Sequence, residues 1–438
     1  MRIMIVGAGY VGLSLGVVLS TKHEIMLRDI DGRTVDKINA GISTIHEDGI
    51  ENRLKSAVSD GRLRACNAMN ESGSRDVVFI CVGTPSNNDG SVNLSSVESA
   101  VDDVLETLPS LIDDYITIAI KSTVPPGTTR RALLDRISST PYSKKVGVAF
   151  NPEFLREGTA IQDALNPDRI VIGTEDNRAF QTLRDMYAVI VHNKPEYVQT
   201  SMESAELCKY VANSFLATKI SFANEWANLC ERIPNADIDE VMKAVSLDSR
   251  ISGDFFGAGV GYGGSCFPKD VEGAIRFAES ISEDVSILRA TEKVNASRPK
   301  RLLSILRNEV PDLKNKKIAV LGLAFKPGTD DTRTSPTLRV LELLRQTNAR
   351  ICIHDPLVNR MPTEGLCPSD IILTDNIETC MQNVDACILV TAWDIYKEMG
   401  LERLTESMNN KVFIDGRRVF VEEEPPKDVI YRTIGTHF

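Results

Sequence analysis

Histidine is scarce in this chain, five in 438 residues, and His23, His46, His192, His354 and His437 show no metal-ligand spacing; no metal site is expected. The nine cysteines are odd in number and include no Cys-x-x-Cys pair, which argues against a disulfide framework and fits reduced thiols. Positive charge is short as well: 50 Lys and Arg against 61 Asp and Glu leave a net charge of -11. That argues against a nucleic-acid binder, while local basic pockets for a phosphorylated small molecule stay open. No apolar run is long enough to cross a membrane, and residues 1–6 lead straight into a short apolar strand instead of a signal peptide. No membrane partner and a cytoplasmic location are expected.

What the chain does have is enough length and apolar content, 42% hydrophobic with 25% charged, for a globular protein of two or three domains. It opens with a β-rich run over residues 2–6, then Gly7-Ala8-Gly9-Tyr10-Val11-Gly12, an apolar helical pattern through Leu13, Val17, Val18 and Leu19, and a second strand over 24–28 ending at Asp29. This order places Gly7 at a tight turn, Gly9 where a pyrophosphate approaches and Gly12 where helix packs on strand, with Asp29 on the ribose 2'-hydroxyl. An acid there repels a 2'-phosphate, so NAD is expected over NADP. A glycine turn with a merely structural role is the alternative. Further strands over 76–82, 116–120 and 146–150 lead into Gly83-Thr84-Pro85, a Thr123 loop, and a loop crowded with Glu153, Arg156 and Glu157, all at the sheet edge where doubly wound folds take ligands.

Near residue 200 the pattern becomes helical. Thr200 with Glu203 reads as a capping box, and Leu207, Val211, Leu216, Ile220, Ala223 and Trp226 recur at helical spacing to about Ile233. So long a helix bridges domains or builds a dimer. Glu206, Lys209 and Asn213 share one of its faces. Downstream lies Gly261-Tyr262-Gly263-Gly264-Ser265-Cys266-Phe267-Pro268-Lys269-Asp270, in which Cys266 sits at the start of a helix beside a cation, a setting that favours thiolate. A buried structural cysteine is the competing account. The last third repeats the opening plan: a strand over 317–321, a turn from Gly322 to Gly328, a helix opened by Ser335-Pro336, and a strand over 349–353 before Asp355. It lacks the Gly-x-Gly-x-x-Gly spacing, so this Rossmann-like unit is expected to bind something other than a dinucleotide, with Lys326 and Arg333 as phosphate ligands.

Together these motifs resemble the nucleotide-sugar dehydrogenases of the UDP-glucose/GDP-mannose dehydrogenase family. The residues that carry the likeness are the Gly7 to Gly12 turn, Gly83-Thr84-Pro85, Lys121-Ser122-Thr123-Val124-Pro125-Pro126-Gly127, Asn151-Pro152-Glu153-Phe154-Leu155-Arg156-Glu157-Gly158, the Glu206, Lys209 and Asn213 face, the Cys266 loop, and Phe325-Lys326 through Arg333. The resemblance implies an α/β fold with two Rossmann-like doubly wound domains joined by a long central helix and a helical dimerisation region. Residues 1–200 would bind NAD, 201–300 would form the central dimerisation domain, and 301–438 would bind the UDP-sugar. It implies NAD as cofactor, UDP-glucose as substrate and a homodimer or higher homo-oligomer.

It also implies roles. Cys266 is the nucleophile, with Lys209, Asp270, Thr123, Glu153 and Asn213 as the remaining catalytic set. NAD is held by Gly7, Gly9, Tyr10, Val11, Gly12, Asp29, Arg33, Thr84, Thr123, Glu157, Lys269 and Arg333. The nucleotide sugar meets Glu153, Phe154, Leu155, Lys209, Asn213, Phe255, Phe256, Gly257, Ala258, Gly259, Gly263 and Lys326, with Arg250 reaching over from a second subunit. Ser252 departs from the glycine common at that position. Rival readings are GDP-mannose as substrate, a two-electron hydroxyacid-type dehydrogenase without cysteine catalysis, and a non-enzymatic NAD-binding regulator.

Overall fold

The computed structural model describes residues 1–69, 73–362 and 371–437, and the chain divides into two compact units, Met1–Ala212 and Asn213–Phe438. In the first, eight strands form one sheet: β1 (Arg2–Val6), β2 (Glu24–Arg28), β3 (Leu63–Cys66), β4 (Val77–Ile80), β5 (Ile116–Ile120), β6 (Val146–Phe150), β7 (Arg169–Gly173) and β8 (Glu196–Thr200). Their order is β3-β2-β1-β4-β5-β6-β7-β8, parallel throughout except where β6 meets β7 at Phe150 and Gly173. Ile3 and Ile5 point into one core and Met4 and Val6 into another. With both faces covered, the central strands β4, β5 and β6 read as nearly unbroken apolar runs. The order reverses between β1 and β4, which marks the crevice where such a sheet takes its ligand.

The second unit carries β9 (Lys317–Leu321), β10 (Arg350–His354), β11 (Ile371–Thr374), β12 (Ala386–Leu389), β13 (Val412–Asp415) and β14 (Ile430–Thr433). They are ordered β11-β10-β9-β12-β13-β14 and run parallel. The internal echo of the sequence is thus an echo of topology. Gly7 N–H donates to Arg28 O at 2.8 Å, and Gly322 N–H donates to His354 O at the same distance. The helix Pro336–Arg345 starts where Ser335-Pro336 places it, with Ser335 Oγ accepting from Thr337 N–H. The expected two Rossmann-like units and long helix are all present.

That helix runs Met202–Cys230, roughly 44 Å at about 1.5 Å per residue. Its cap differs from the expectation. Ser201 Oγ accepts from Ser204 N–H at 3.1 Å, while Glu203 turns outward to Arg130, so Thr200 and Glu203 form no capping box. Its buried positions carry mainly small residues, Ala205, Ala217, Ala223, Ala227 and Cys230, whereas Leu207, Val211, Phe215, Phe222, Trp226 and Leu229 are exposed. Periodicity finds the helix but does not tell its inner face from its outer one. The second unit adds helices Ile238–Ser246, Phe267–Ser280 and Ser286–Glu309 before β9. No described helix is long and apolar enough to cross a membrane.

Candidate active site

The first glycine turn is built as the spacing requires. A Cβ on Gly12 would fall 1.9 Å from Gly7 O, so helix Tyr10–Leu19 packs against the turn only with glycine there, while a Cβ on Gly9 would meet nothing within 4 Å. That open space beside a helix N-terminus whose first N–H groups receive no side-chain cap fits a dinucleotide pyrophosphate. Asp29, at the end of β2, accepts from Ala8 N–H at 2.8 Å and Asp31 N–H at 2.9 Å. Arg33 is exposed and pairs with Asp31. Tyr10 donates to the buried Glu47, whose carboxylate also accepts from Gly158 and Ala160 N–H, tying the loop after β6 to the glycine turn. Burial, then Glu47, pushes the Tyr10 phenol up. Val11 packs on the first core. Thr84 is buried after β4, and Thr123 and Glu157 are half-buried.

At the end of β6 Glu153 is buried and its Oε1 lies 2.7 Å from Lys209 Nζ; Oε2 accepts from Leu155 N–H at 2.6 Å. Lys209 Nζ also stands 5.5 Å over the Phe154 ring. Burial pushes the carboxyl up, but Lys209, the Leu155 N–H and Lys121 together hold it below the usual carboxylate range. The structure therefore joins Glu153, Phe154, Leu155 and Lys209. Glu206, one turn before Lys209, does not pair with it. Its carboxylate accepts from Gly127 N–H at 2.6 Å and Thr129 N–H at 2.7 Å, a buried brace for the Thr123 loop.

In the second unit Cys266 is the N-cap residue of Phe267–Ser280, with Pro268 in the first turn. Its Sγ lies 3.5 Å from Ser265 Oγ and its carbonyl accepts from Asp270 N–H at 2.8 Å. It is half-buried, whereas Cys81, Cys230, Cys352, Cys380 and Cys387 are buried, and burial pushes the Cys81 thiol up to about 12. Of these thiols Cys266 has the access and the helix position that a nucleophile needs. Asp270 is buried and held by Asn213 Nδ2 at 2.6 Å and by Lys269 Nζ. Gly264 takes φ +88°, and a Cβ there would strike the Phe325 ring at 2.7 Å. A Cβ on Gly263 would fall 2.4 Å from Thr334 O, so the cysteine loop is moulded onto the Phe325 to Thr334 segment.

Other expected residues stand apart. Arg250 is exposed and pairs with Asp248; Arg333 is exposed and pairs with Asp331. Lys326 Nζ lies 5.6 Å over the Phe325 ring. Phe255, at φ 67°, packs on Phe267, and Phe256 lies under Lys219. Gly257 is exposed, Ala258 is buried, and Gly259 N–H donates to Asn224 Oδ1 at 2.8 Å. Asp355, the counterpart of Asp29, is closed off: Oδ2 accepts from Leu323, Ala324 and Trp393, and Oδ1 from Leu357 and Val358. Position 324, the counterpart of Gly9, is a buried alanine. The dinucleotide cradle is filled in this unit. Among the described residues no cluster of three or more His, Cys, Asp or Glu could hold a metal.

Two groups escaped the sequence reading. Arg417, after β13, donates from Nε to Val390 O at 2.6 Å and from Nη1 to Gly261 O at 3.0 Å, and burial pushes it down to about 10. Lys121 is a buried ammonium directly after β5. For Lys121 the available signal was a charged residue directly closing a five-residue apolar strand; Arg417, two residues past the four-residue β13, carried no such signal.

The chain matches three domains of the UDP-glucose/GDP-mannose dehydrogenase family: the NAD binding domain over residues 1–191, the central domain over 203–297 and the UDP binding domain over 319–422. It is 38% identical to a UDP-glucose 6-dehydrogenase, AglM, of Haloferax volcanii, covering 97% of this chain and 98% of that one. It is 37% identical to the UDP-glucose 6-dehydrogenase YwqF of Bacillus subtilis, covering 99% and 98%. Among solved structures it resembles a UDP-glucose dehydrogenase of Pyrobaculum islandicum, with a TM-score of 0.89 and 36% identity over 99% of this chain and 97% of that one.

Proposed function

This chain belongs to the UDP-glucose/GDP-mannose dehydrogenase family, and from that premise we propose that it oxidises the C6 alcohol of UDP-glucose to the carboxylate of UDP-glucuronate. NAD, when bound, accepts the hydride released in each of the two oxidations. The observation that carries the reading is Cys266, a partly accessible thiol at the N-cap of Phe267–Ser280, where the helix dipole favours the thiolate. Its sulfur bonds to C6 at the aldehyde stage and holds it as a thiohemiacetal, then carries the thioester left by the second oxidation. Water adds to that thioester, the C–S bond breaks, and the acid leaves as the thiolate returns.

The remaining roles are those that the family resemblance implies. Lys209 stabilises the oxyanions and Asn213 orients the sugar. Asp270 and Lys209 move protons through a water held by Thr123, and Glu153, kept ionised by its cations, is the base for hydrolysis. The filled cradle around Asp355 supports assigning the nucleotide sugar, not NAD, to residues 301–438, with 1–200 for NAD and 201–300 for dimerisation. The exposed Phe215, Phe222, Trp226 and Leu229 support a homodimer, in which the partner subunit's Arg250 completes the substrate site. The reduced state of the eight described cysteines, Cys367 lying outside the described residues, fits work in the cytoplasm.

The test is the yield of NADH per sugar, measured with UDP-glucose and separately with GDP-mannose. Two NADH per UDP-glucose is expected, with Cys266→Ser unable to complete turnover. One NADH per sugar, or full turnover by the variant, would return the protein to the two-electron dehydrogenases; activity on GDP-mannose alone would keep the chemistry and change the substrate.

A further inference from the structure

Lys121 has no part in the reaction described above, yet it is placed with care. Its Nζ is buried and lies 3.1 Å from Asn151 Oδ1, 3.4 Å from Asn151 O, 3.5 Å from Pro152 O and 3.3 Å from the Tyr187 hydroxyl. The hydroxyl itself donates to Asn151 Oδ1 at 2.6 Å, and Asn151 Nδ2 donates to Val171 O at 2.8 Å. Asn151 and Pro152 are the two residues ahead of Glu153. The ammonium thus clamps the stalk on which that carboxylate stands. Burying a cation costs desolvation free energy that an apolar side chain would not incur, and the rings of Phe79 and Tyr187, each 5.8 Å away, offset only part of it. A cation in that place needs an anion that uses it, and Glu153 is the carboxylate at hand.

We propose that Lys121 is a positioning residue for thioester hydrolysis, fixing the Asn151–Pro152 segment and serving as the second cation that keeps Glu153 ionised. The inference rests on the reading of Glu153 as the base. In the step concerned, a water oxygen bonds to the thioester carbon, one water proton passes to Glu153, and the C–S bond breaks with its electron pair returning to the Cys266 sulfur. Lys209 has its own work at the substrate oxygen, so a carboxylate that depended on Lys209 alone would lose its support when that ammonium turned away. Lys121, pointing to the protein side, supplies support that does not move with the substrate.

The groups facing Glu153 are Lys209 from the long helix, Leu155 N–H from its own loop, and Lys121 after β5, with the Cys81 thiol after β4. Lys121 itself faces Cys81, Glu153, Lys209 and Tyr187. The Cys81 thiol stays neutral over the working range. Burial pushes Lys121 down to about 8, against the pull of Cys81 and Glu153 and with Lys209 adding to the push, so its charge is present below that pH and fades above it.

The test uses the intact enzyme with UDP-glucose and NAD, comparing wild type with Lys121→Met and Lys121→Arg. With Lys121→Met the acid limb of the kcat profile is expected to move up by about one pH unit, with kcat down roughly tenfold. KM for UDP-glucose should stay within about twofold, and Lys121→Arg should keep the wild-type limb. A Lys121→Met enzyme with an unmoved limb, or a Lys121→Arg enzyme shifted as far as the methionine variant, overturns the proposal. Should Lys121→Met fail to fold, Tyr187→Phe carries the test. It leaves the charge and removes the hydroxyl shared by Lys121 and Asn151, so kcat should fall about threefold with the limb in place, and an unchanged kcat overturns the proposal. A wild type inert toward UDP-glucose removes the function and this inference with it; an active wild type indifferent to Lys121 removes the inference alone.

Discussion

Replacing Glu153 by glutamine separates what the carboxylate does for chemistry from what it does for the fold. The substitution keeps size and one amide oxygen, enough for either Lys209 Nζ, now 2.7 Å from Oε1, or Leu155 N–H, now bonded to Oε2, while the NH2 leaves the other donor without its acceptor, and the negative charge and the base are removed. Breaking a buried ion pair costs about 3 to 5 kcal/mol, and the surviving amide oxygen places this case near the low end, about 3 kcal/mol. The folded Glu153 carboxyl is held below its ordinary range. Its contribution is therefore present above the unfolded value, near pH ~4.3, and is lost as pH falls through the lower folded value. The stability gap between wild type and Glu153→Gln, measured by urea denaturation followed by circular dichroism, should be widest near neutrality and close below about pH 4. Kinetically, both oxidations should survive while hydrolysis slows by roughly a hundredfold or more. Rapid mixing should then show a burst of about two NADH per site, followed by a slow steady state as thioester accumulates on Cys266. Steady turnover without a burst, at the wild-type rate, would refute the role of Glu153, and a stability gap that widens in acid would refute the electrostatic account.

Ser252 sits at φ 62° with its carbonyl accepting from Lys219 Nζ at 3.0 Å; Ser252→Gly should relieve about 1 kcal/mol of left-handed backbone strain, and a lower melting temperature in calorimetry would count against this. Asp355→Ala would strip five N–H donors of their shared carboxylate, and a loss of at least ~3 kcal/mol is expected. A thermal unfolding curve unchanged from wild type would show that these bonds contribute nothing net. For the homodimer proposed above, Phe222→Glu on the exposed side of the long helix should lower the mass seen by light scattering to that of a monomer. A variant that stays dimeric would place the interface elsewhere.

Much of the fold was legible because a sheet buried on both faces leaves a blunt trace. After an opening Arg2 and Lys317, residues 3–6 and 318–321 are apolar throughout because each strand lies mid-sheet between two parallel neighbours. The glycine turn was legible for a local reason as well, since the contact of Gly12 with Gly7 O needs only the turn and its helix. The cysteine helix was announced by Pro268 in its first turn. Where long-range partners decide, the sequence was mute. The long helix could be counted from its periodicity, but alanines line much of its core side while Leu207, Val211, Phe215, Phe222, Trp226 and Leu229 face out, which no single-helix pattern reveals.

The amino-acid sequence by itself determined β1, β2, β4, β5, β6, β9 and β10, the long helix, the dinucleotide turn and the family likeness, because each leaves its trace in residues close together along the chain. Only the tertiary structure decided which charges are spent. Asp29 and Asp355 end equivalent strands, yet the second is enclosed by five donors, two from its own loop and three from two distant segments. Glu206 and Lys209 lie one turn apart, yet one braces the loop at Gly127 and the other pairs with Glu153. Lys121 follows a strand like many surface lysines and is buried against Asn151 and Tyr187. The physical reason is the same in all three: the free energy of a charged group is set by burial and by partners far along the chain, and those come into being only when the strands pair and the helices cover them.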